Sequence, residues 1–214
     1  MNDTLVAFAS KLEFNAVYPH LSAVVASTTP FSVGSFDVTV CGVGLLNFSL
    51  NLAFLLAARK YKRVFQVGIC GAYPEGDFGV LDVVRVDSDI VGDMGVQTAS
   101  GHFVAWKDVV SEDGVYCGDS PRLLPLSLAS VPSAAGVTVN CCTGTKYLGL
   151  RRRELFKADV ETMEGAACFA VCKRFGVSAY QFRAVSNIAS DRNPSAWKVA
   201  EALAALKSQV IDVL

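Results

Sequence analysis

Charged side chains are scarce in this chain: only 18% of its 214 residues are Asp, Glu, Lys or Arg, and the formal net charge is −1. Such a near-neutral composition gives no broad electrostatic attraction for nucleic acid or an anionic membrane, so we expect neither as a partner. The apolar fraction of 52% is too high for a disordered chain and predicts a well-filled core. No linker divides the chain, so we expect residues 1–214 to form one domain.

Long hydrophobic segments are also missing. The most apolar stretch, residues 41–58, is interrupted by Asn47, Ser49 and Asn51, and a membrane helix needs about 20 predominantly apolar residues. We interpret the stretch as a strand end followed by a buried helix. The N-terminus has no basic region ahead of an apolar stretch, so we expect no signal peptide and a cytoplasmic protein.

Metal-binding patterns are absent from the sequence as well. It contains two histidines, His20 and His102, without ligand spacing, and seven cysteines without a CxxC pair. An odd number of cysteines in this arrangement argues against a secreted, disulfide-bonded framework. We therefore predict reduced, buried thiols and no metal site.

Short apolar, β-branched segments alternate along the chain with stretches of helical length. We predict strands at residues 4–9, 36–41, 63–68, 81–86, 136–140, 160–161 and 178–186, and helices at 45–61, 147–156, 163–175 and 194–214. Ser10 is placed to cap a further helix that starts near Lys11, and Gly176 stands where a helix ends. Residues 88–135 are rich in Gly, Pro, Ser and Asp, and we expect them to be irregular and exposed, with some helix. The alternation predicts an α/β fold with a central mixed β-sheet flanked by helices.

Three predicted strand ends are glycine-rich or polar, at residues 42–44, 68–71 and 186–193, and α/β folds place their sites at such ends. The Gly42-Val43-Gly44 turn is similar to a dinucleotide-binding fingerprint. However, Asn47 occupies the third glycine position, and no acidic residue follows at the required distance. Tight strand-to-helix turns explain the glycines at least as well, so an oxidoreductase of the Rossmann type is the weakest alternative.

Three polar residues stand at the ends of predicted elements: Glu13, Glu164 and Asn187. Taken singly, each has a structural explanation, because a carboxylate is favoured at a helix start and a polar residue can finish a strand. Taken together, they fall where a layered sheet brings side chains to one place, which indicates a site. By contrast, we interpret the arginine run at 151–153 as a solvated helix face.

A family resemblance extends this reading. Residues 160–167 (VETMEGAA) and 183–187 (RAVSN) resemble the signature of the nucleoside phosphorylase and nucleosidase superfamily, and the likeness covers nearly the whole chain. Within that superfamily, residues 92–96 (GDMGV) and Ser186-Asn187 with Arg192 and Trp197 most resemble the futalosine hydrolases of the futalosine route to menaquinone. The resemblance implies hydrolysis of futalosine to hypoxanthine and dehypoxanthine futalosine, no metal or organic cofactor, and a homodimer.

The resemblance also implies roles for individual residues. Loss of a purine from ribose passes through an oxocarbenium-like transition state, and Glu13 matches the position that prepares the attacking water. Glu164 is expected to accept hydrogen bonds from the ribose 2′ and 3′ hydroxyls, with Met163 as an apolar contact to the sugar. Asn187 matches the group that stabilises negative charge on the departing purine. The remaining expected substrate contacts are Ile69, Gly71, Cys141 and Cys142.

Asn187 departs from the pattern of the methylthioadenosine nucleosidases, which have aspartate at this position. An Asn side chain donates from its NH2 group to a 6-oxo oxygen or to purine N7, but it has no acid proton. The departure therefore indicates a 6-oxopurine, hypoxanthine, as the leaving group.

Ile69 departs from the pattern of the phosphorylases, which hold phosphate with arginines and with a hydroxyl residue at this position. An isoleucine side chain cannot donate to phosphate, and phosphate-binding Gly and Arg residues are missing near Glu13. We therefore expect water as the nucleophile.

Alternatives remain at this stage. One is a nucleosidase acting on methylthioadenosine, S-adenosylhomocysteine or aminofutalosine, and another is a non-catalytic nucleoside-binding protein. The presence of both Glu13 and Glu164 weighs against the non-catalytic reading. For the carboxylate on the benzoate-bearing tail of futalosine, the candidate partners are Arg192, Lys198 and Lys107.

Overall fold

The computed structural model describes residues 2–21, 29–109 and 114–214, and the side chain of Lys107 lies outside this description. The strands are β1 (Thr4–Phe8), β2 (Phe31–Val33), β3 (Phe36–Val40), β4 (Arg63–Ala72), β5 (Val83–Val91), β6 (Gly95–Gln97), β7 (Phe103–Ala105), β8 (Val115–Cys117), β9 (Ser133–Thr138), β10 (Val160–Thr162) and β11 (Ser178–Ile188). The helices are α1 (Lys11–Val17), α2 (Leu45–Ala58), α3 (Trp106–Val109), α4 (Leu126–Ala129), α5 (Lys146–Phe156), α6 (Gly165–Phe175) and α7 (Val199–Gln209). Of the helices within these ranges, none has both the length and the apolar character that crossing a membrane requires.

In the described ranges, nine strands form one mixed sheet in the order β10-β9-β5-β11-β4-β1-β3-β2, with β8 beside β5. Strands β3, β1, β4 and β11 are mutually parallel, whereas β5 runs antiparallel to β11. Strand β10 pairs with both β9 and β4, so the sheet curls back on itself. Helices cover the sheet, and the predicted α/β fold with a central mixed sheet is confirmed.

Each face of the sheet buries its own apolar core. On one face, α1 and α7 pack with Phe14 and Leu203 against strand residues such as Phe8. On the other face, Phe48 of α2 and Phe169 of α6 pack against buried strand residues. Strand β1 is covered on both faces, and its sequence (TLVAF) is a nearly continuous apolar run. Strand β3 is also fully buried, although its sequence (FDVTV) alternates apolar and polar residues.

The parallel strands determine where a site can lie. Strands β3, β1, β4 and β11 are neighbours that run in one direction, so their carboxyl ends meet at one edge of the sheet. Glu13, Gly71 and Asn187 stand at or just after these ends. At this edge the register between β11 and β4 shifts between Val185 and Asn187, which leaves Ser186 as an extra residue in a bulge.

Several predicted boundaries are wrong. Residues 68–71 are not a turn but lie within β4, because β11 and β10 continue to pair with that strand. Strand β5 extends to Val91, and residues 88–135 also contain β6, β7 and β8, although residues 110–113 lie outside the described part. The Gly, Pro and Ser content of this region marks short strands and tight turns rather than a lack of structure.

Two further expectations need correction. The predicted helix over 194–214 consists of a 3-10 turn at Pro194–Ala196, helix α7 and a second 3-10 turn at Ile211–Val213. The cysteines are also not uniformly buried, because Cys117, Cys141 and Cys142 are exposed while the other four are buried.

Candidate active site

A pocket of about 430 Å³ lies at the edge where the parallel strands end. Glu13, Glu164 and Asn187, the three polar residues singled out from the sequence, all line this pocket. The predicted substrate contacts Ile69, Gly71, Cys142 and Met163 line it as well. Cys141 does not line it, although its neighbour Cys142 does.

Glu13 occupies the first turn of α1 and is buried. Its Oε2 accepts hydrogen bonds from the backbone N–H and the hydroxyl of Ser10, each over 3.0 Å, in a capping box. Its Oε1 accepts a hydrogen bond from the backbone N–H of Ile69 over 3.0 Å. A carboxylate has about four lone-pair sites, so these three bonds leave about one site for a water molecule in the pocket. The structural and the catalytic explanations of Glu13 are therefore compatible.

Glu164 stands immediately before α6, but its side chain does not cap that helix. Instead, its Oε1 accepts a hydrogen bond from the backbone N–H of Gly44 over 3.0 Å, which links it to the loop between β3 and α2. Gly44 has a φ of 87°, a left-handed value that suits glycine. Burial raises the pKa of Glu164, while the guanidinium of Arg183 opposes that rise.

Arg183 is the buried cation between the two carboxylates. It is 1% exposed, and its Nη2 lies 3.6 Å from Oε2 of Glu164. A Cβ on Gly68 would stand 2.9 Å from Nη1 of Arg183, and it would also clash with the carboxylate of Glu13. Glycine at position 68 therefore makes room for Glu13 and Arg183 together. Arg183 thus pairs with the carboxylate of Glu164.

A second row of buried polar residues fixes the position of Arg183. Its Nε donates to Oε1 of Gln181 over 2.8 Å, and Nε2 of Gln181 donates to Oδ2 of Asp89 over 3.2 Å. Asp89 also accepts a hydrogen bond from the hydroxyl of Thr138 over 2.7 Å. Burial raises the pKa of Asp89 to about 6. Gln181 thus orients the guanidinium of Arg183 on the side away from the pocket, and Glu164 orients it on the pocket side.

Asn187 follows the bulge in β11 and is half-buried. Its Oδ1 accepts a hydrogen bond from the hydroxyl of Ser186 over 2.8 Å, and its NH2 group donates to the carbonyl oxygen of Ile188 over 3.2 Å. One N–H of the NH2 group therefore remains available as a donor. That nitrogen lies 3.3 Å from the point where a Cβ on Gly71 would stand. A glycine opposite the bulge therefore leaves the amide room beside the pocket.

Cations are absent from the described lining of the pocket. Two of the tail-binding candidates, Arg192 and Lys198, are exposed and lie outside that lining, and Lys198 pairs with Glu201 at 3.5 Å. The side chain of the third candidate, Lys107, lies outside the described residues. The pocket is consequently suited to a neutral sugar and base rather than to a phosphate dianion.

Comparison with known proteins agrees with the fold. Residues 7–214 match the model of the Phosphorylase superfamily. The chain belongs to the phosphorylase superfamily. The family resemblance inferred from the VETMEGAA and RAVSN segments is confirmed by this match.

Two curated relatives in the superfamily are futalosine hydrolases. That of Streptomyces coelicolor is 31% identical over 183 residues, which cover 82% of this chain and 77% of the relative. That of Thermus thermophilus is 28% identical over 183 residues, covering 81% and 78%. Among solved structures, a 5′-methylthioadenosine/S-adenosylhomocysteine nucleosidase of Helicobacter pylori has a TM-score of 0.76 at 17% identity and covers 99% of this chain and 98% of its own. At that identity it supports the fold alone.

Sequence reasoning missed the apolar mouth of the pocket and part of its floor. Leu12, Val199, Thr143 and Glu161 line the pocket but were not singled out as site residues. The interpretation of residues 151–153 as a solvated face is wrong for Arg152, which is buried and lies 2.8 Å from Oε2 of Glu161. The signal was available, since Arg152 is four residues from both Leu148 and Phe156 and so shares their helix face.

Proposed function

We propose that this protein is an N-ribosyl hydrolase that cleaves futalosine to hypoxanthine and dehypoxanthine futalosine, and that it acts in the futalosine route to menaquinone. The observation that carries the proposal is the convergence of Glu13, Glu164 and Asn187 on one pocket. The two futalosine hydrolase relatives support the choice of substrate.

The chemistry follows from the positions of the carboxylates. Water adds to C1′ of the ribose while the C1′–N9 bond breaks, and the bonding electron pair leaves with the purine. Glu13 takes the proton of the water, since its carboxylate keeps about one free acceptor site. Glu164 accepts hydrogen bonds from the ribose hydroxyls, and its negative charge stabilises the positive charge that develops on the sugar. Arg183 opposes the rise that burial causes in the pKa of Glu164, and its Nη2 has no hydrogen-bond partner among the described residues.

Asn187 completes the reaction at the base. As the C1′–N9 bond breaks, negative charge accumulates on the purine, and the NH2 group of Asn187 donates to N7 or to the 6-oxo oxygen. The Ser186 hydroxyl and the Ile188 carbonyl hold the amide of Asn187, and one N–H remains to donate to the base. A donor at this point suits hypoxanthine better than adenine.

Water is favoured over phosphate as the nucleophile. Ile69 contributes its backbone N–H to Glu13 and has no hydroxyl to offer. The described pocket lining contains no Lys or Arg, and Arg183 is already engaged by Glu164. A phosphate dianion at this place would be buried without a free cation, which is costly.

The mouth of the pocket supports a place for the tail of futalosine. Leu12, Trp197 and Val199 give it an apolar surface that suits the aromatic ring of the benzoate. For the carboxylate, Arg192, Lys198 and Lys107 remain the candidates from the sequence. The structure adds Lys11, which lines an adjoining cavity of about 560 Å³ that shares Ala9, Ser10 and Val43 with the pocket.

We also propose a homodimer. Leu46, Leu50 and Phe54 repeat at four-residue spacing on α2, and their exposures are 71%, 62% and 60%. A stripe of this kind on a helix beside the pocket suits burial against a second copy of the chain. Sedimentation of the wild type and of Leu50→Glu tests this, and a wild-type monomer contradicts it.

Product analysis tests the proposed function directly. The enzyme is incubated with futalosine, aminofutalosine, methylthioadenosine and inosine, with and without phosphate, and the products are separated by chromatography. We expect hypoxanthine and the free sugar from futalosine at a rate independent of phosphate. A sugar 1-phosphate contradicts hydrolysis. Preferred release of adenine from methylthioadenosine favours the nucleosidase alternative.

A further inference from the structure

Gln66 lies in the middle of β4 and is completely buried, although its side chain is polar. Its two polar atoms, Oε1 and Nε2, have no hydrogen-bond partner among the described residues. Gln66 is also not part of the described pocket lining. Burying an amide without hydrogen bonds is costly, and native proteins contain few such groups. The side chain of Gln66 therefore requires a partner inside the protein.

The pairing of β4 with β11 places Gln66 beside Arg183. The two strands are parallel, with Gln66 opposite Gln181 and Gly68 opposite Arg183. Side chains alternate along a strand, so these four residues lie on the same face of the sheet. Gly68 has no side chain, and the guanidinium of Arg183 extends over it, since Nη1 lies 2.9 Å from where a Cβ on Gly68 would stand. The neighbouring side chain on this face of β4 is that of Gln66.

Arg183 has a donor that still needs an acceptor. Its Nε donates to Oε1 of Gln181 over 2.8 Å, and its Nη1 donates to the carbonyl oxygen of Ile69 over 3.4 Å. Its Nη2 is buried and has no hydrogen-bond partner within the described ranges, since Oε2 of Glu164 is 3.6 Å away. A guanidinium has five N–H donors and no acceptor, so only an acceptor can satisfy Nη2. Oε1 of Gln66 is an acceptor on the same face of the sheet.

Water can satisfy both side chains at once. Buried water molecules typically make about three hydrogen bonds to polar groups that have no other partner. A water between the two residues can accept a hydrogen bond from Nη2 of Arg183 and donate one to Oε1 of Gln66. Such a water holds the guanidinium from the β4 side, whereas Gln181 holds it from β11.

We propose that Gln66 and Arg183 bind at least one buried water molecule between them, and that Gln66 acts through this water as a positioning residue for Arg183. The inference rests on the proposed function, because Arg183 influences the reaction through the carboxylate of Glu164.

The charged groups around the guanidinium show what this positioning affects. They are Glu13 of α1, Glu164 at the start of α6, and Asp89 of β5, which acts through Gln181. Arg183 opposes the rise that burial causes in the pKa of Glu164. A guanidinium that is held less firmly opposes this rise less well, so less of Glu164 is ionised at a given pH.

Gln66→Met and Gln66→Asn separate hydrogen bonding from packing. Methionine has about the length of glutamine but only a weak acceptor in its thioether. Asparagine keeps the amide and is shorter by one methylene, which leaves room for water to bridge the gap. The matched control is Gln209→Met, at an exposed position at the end of α7.

Steady-state kinetics with futalosine over a range of pH give the first readout. We expect Gln66→Met to lower kcat by about tenfold, with a smaller change in KM, because Arg183 then positions Glu164 less well. The acid limb of its kcat/KM profile should move to higher pH, a change that lost packing alone does not cause. Gln66→Asn should lose about threefold at most, since water still bridges its amide. Gln209→Met should match the wild type.

A high-resolution crystal structure of the wild type gives a second readout, which does not depend on activity. We expect ordered water about 3 Å from Nη2 of Arg183 and about 3 Å from the amide of Gln66. The same water should be lost from crystals of Gln66→Met.

A Gln66→Met enzyme with the kcat and the acid limb of the wild type overturns the positioning role. An equal loss in Gln66→Met and Gln66→Asn also overturns it, because packing then explains the effect. A direct hydrogen bond between Gln66 and Arg183, or no ordered water between them, overturns the water site. If Gln66→Met loses its cooperative unfolding transition, Gln66→Leu replaces it in the same comparison. If the wild type does not cleave futalosine, the proposed function fails instead, and the crystal structure decides the water site.

Discussion

The carboxylate of Glu164 lies 3.6 Å from the guanidinium of Arg183, and both side chains are almost completely buried. Burial raises the pKa of Glu164, and a neighbouring cation opposes that rise by compensating the charge of the carboxylate. Arg183 provides that compensation, and Gln181 and Asp89 orient it from the far side. Arg183 therefore favours the ionised form of Glu164 in the pocket where a ribosyl cation would form.

Glu13→Gln tests the role of Glu13 as the base. Glutamine also forms capping boxes, so the variant should fold at a cost of about 1 kcal/mol for one lost hydrogen bond. It cannot take a proton from water, so we expect kcat to fall by about 10²-fold or more. Steady-state kinetics with futalosine and a thermal melt provide the measurement, and Glu75→Gln at an exposed site is the control. A kcat near that of the wild type contradicts the assignment.

Glu164→Gln tests electrostatic stabilisation of the sugar. The variant leaves one acceptor oxygen where there were two and removes the charge facing the oxocarbenium. We expect kcat and kcat/KM to fall together, because the lost contact is strongest in the transition state.

The pH profile gives an independent check on Glu164. Because burial raises the pKa of Glu164, wild-type kcat/KM should decline on the acid side at a higher pH than an ordinary glutamate would cause. That acid limb should be absent from the residual activity of Glu164→Gln. A rise in KM alone would show that Glu164 binds only the ground state.

Asn187→Asp tests whether residue 187 determines the selectivity for a 6-oxopurine over a 6-aminopurine. We expect the wild type to prefer futalosine over its 6-amino analogue by at least about 10² in kcat/KM, equivalent to about 2.7 kcal/mol. Aspartate should reduce or reverse this preference, because a protonated Asp donates to N7 while its other oxygen accepts from a 6-amino group. The overall rate should also decrease where the Asp is ionised, since it would repel the developing purine anion. Equal use of both substrates by the wild type would remove Asn187 as a determinant of substrate choice.

Asp89→Asn tests the buried polar row through the pH dependence of stability. The pKa of Asp89 is raised from 3.8 to about 6, so the folded state binds its proton more tightly than the unfolded state does. Its contribution to stability is therefore complete below about pH 4 and is lost as the pH rises through about 6.

The expected difference is measurable by thermal melts. Between pH 4 and pH 7 the wild type should lose on the order of 1–3 kcal/mol relative to Asp89→Asn, which corresponds to about 2–4 °C in Tm for each kcal/mol. Melts of both proteins at pH 4, 5, 6 and 7 give the comparison, with Asp77→Asn as the control. If the Tm values of the wild type and Asp89→Asn change with pH in parallel, the pKa of Asp89 is not raised in the folded state.

Much of the architecture could be read from local patterns. The alternation of apolar segments with helical stretches predicted the mixed sheet, because strands that are buried on both faces are rich in apolar residues. Ser10 and Gly176 marked helix ends correctly, since capping depends on neighbouring backbone groups. Glu13, Glu164 and Asn187 were found because they stand at the ends of elements, and parallel strands bring those ends together.

Other features depend on contacts between distant segments, and only the folded chain shows them. The helix face of Arg152 could be read from the spacing to Leu148 and Phe156, but its partner Glu161 lies on β10, and no local pattern contains that pairing. The bulge at Ser186 arises from the pairing of β11 with β4, which a single strand does not encode. The link from Asp93 to Cys141 spans 48 residues of chain. Burial, charge pairing and strand register each depend on two segments in contact. A single segment therefore determines its own local conformation, but not which distant segment packs against it.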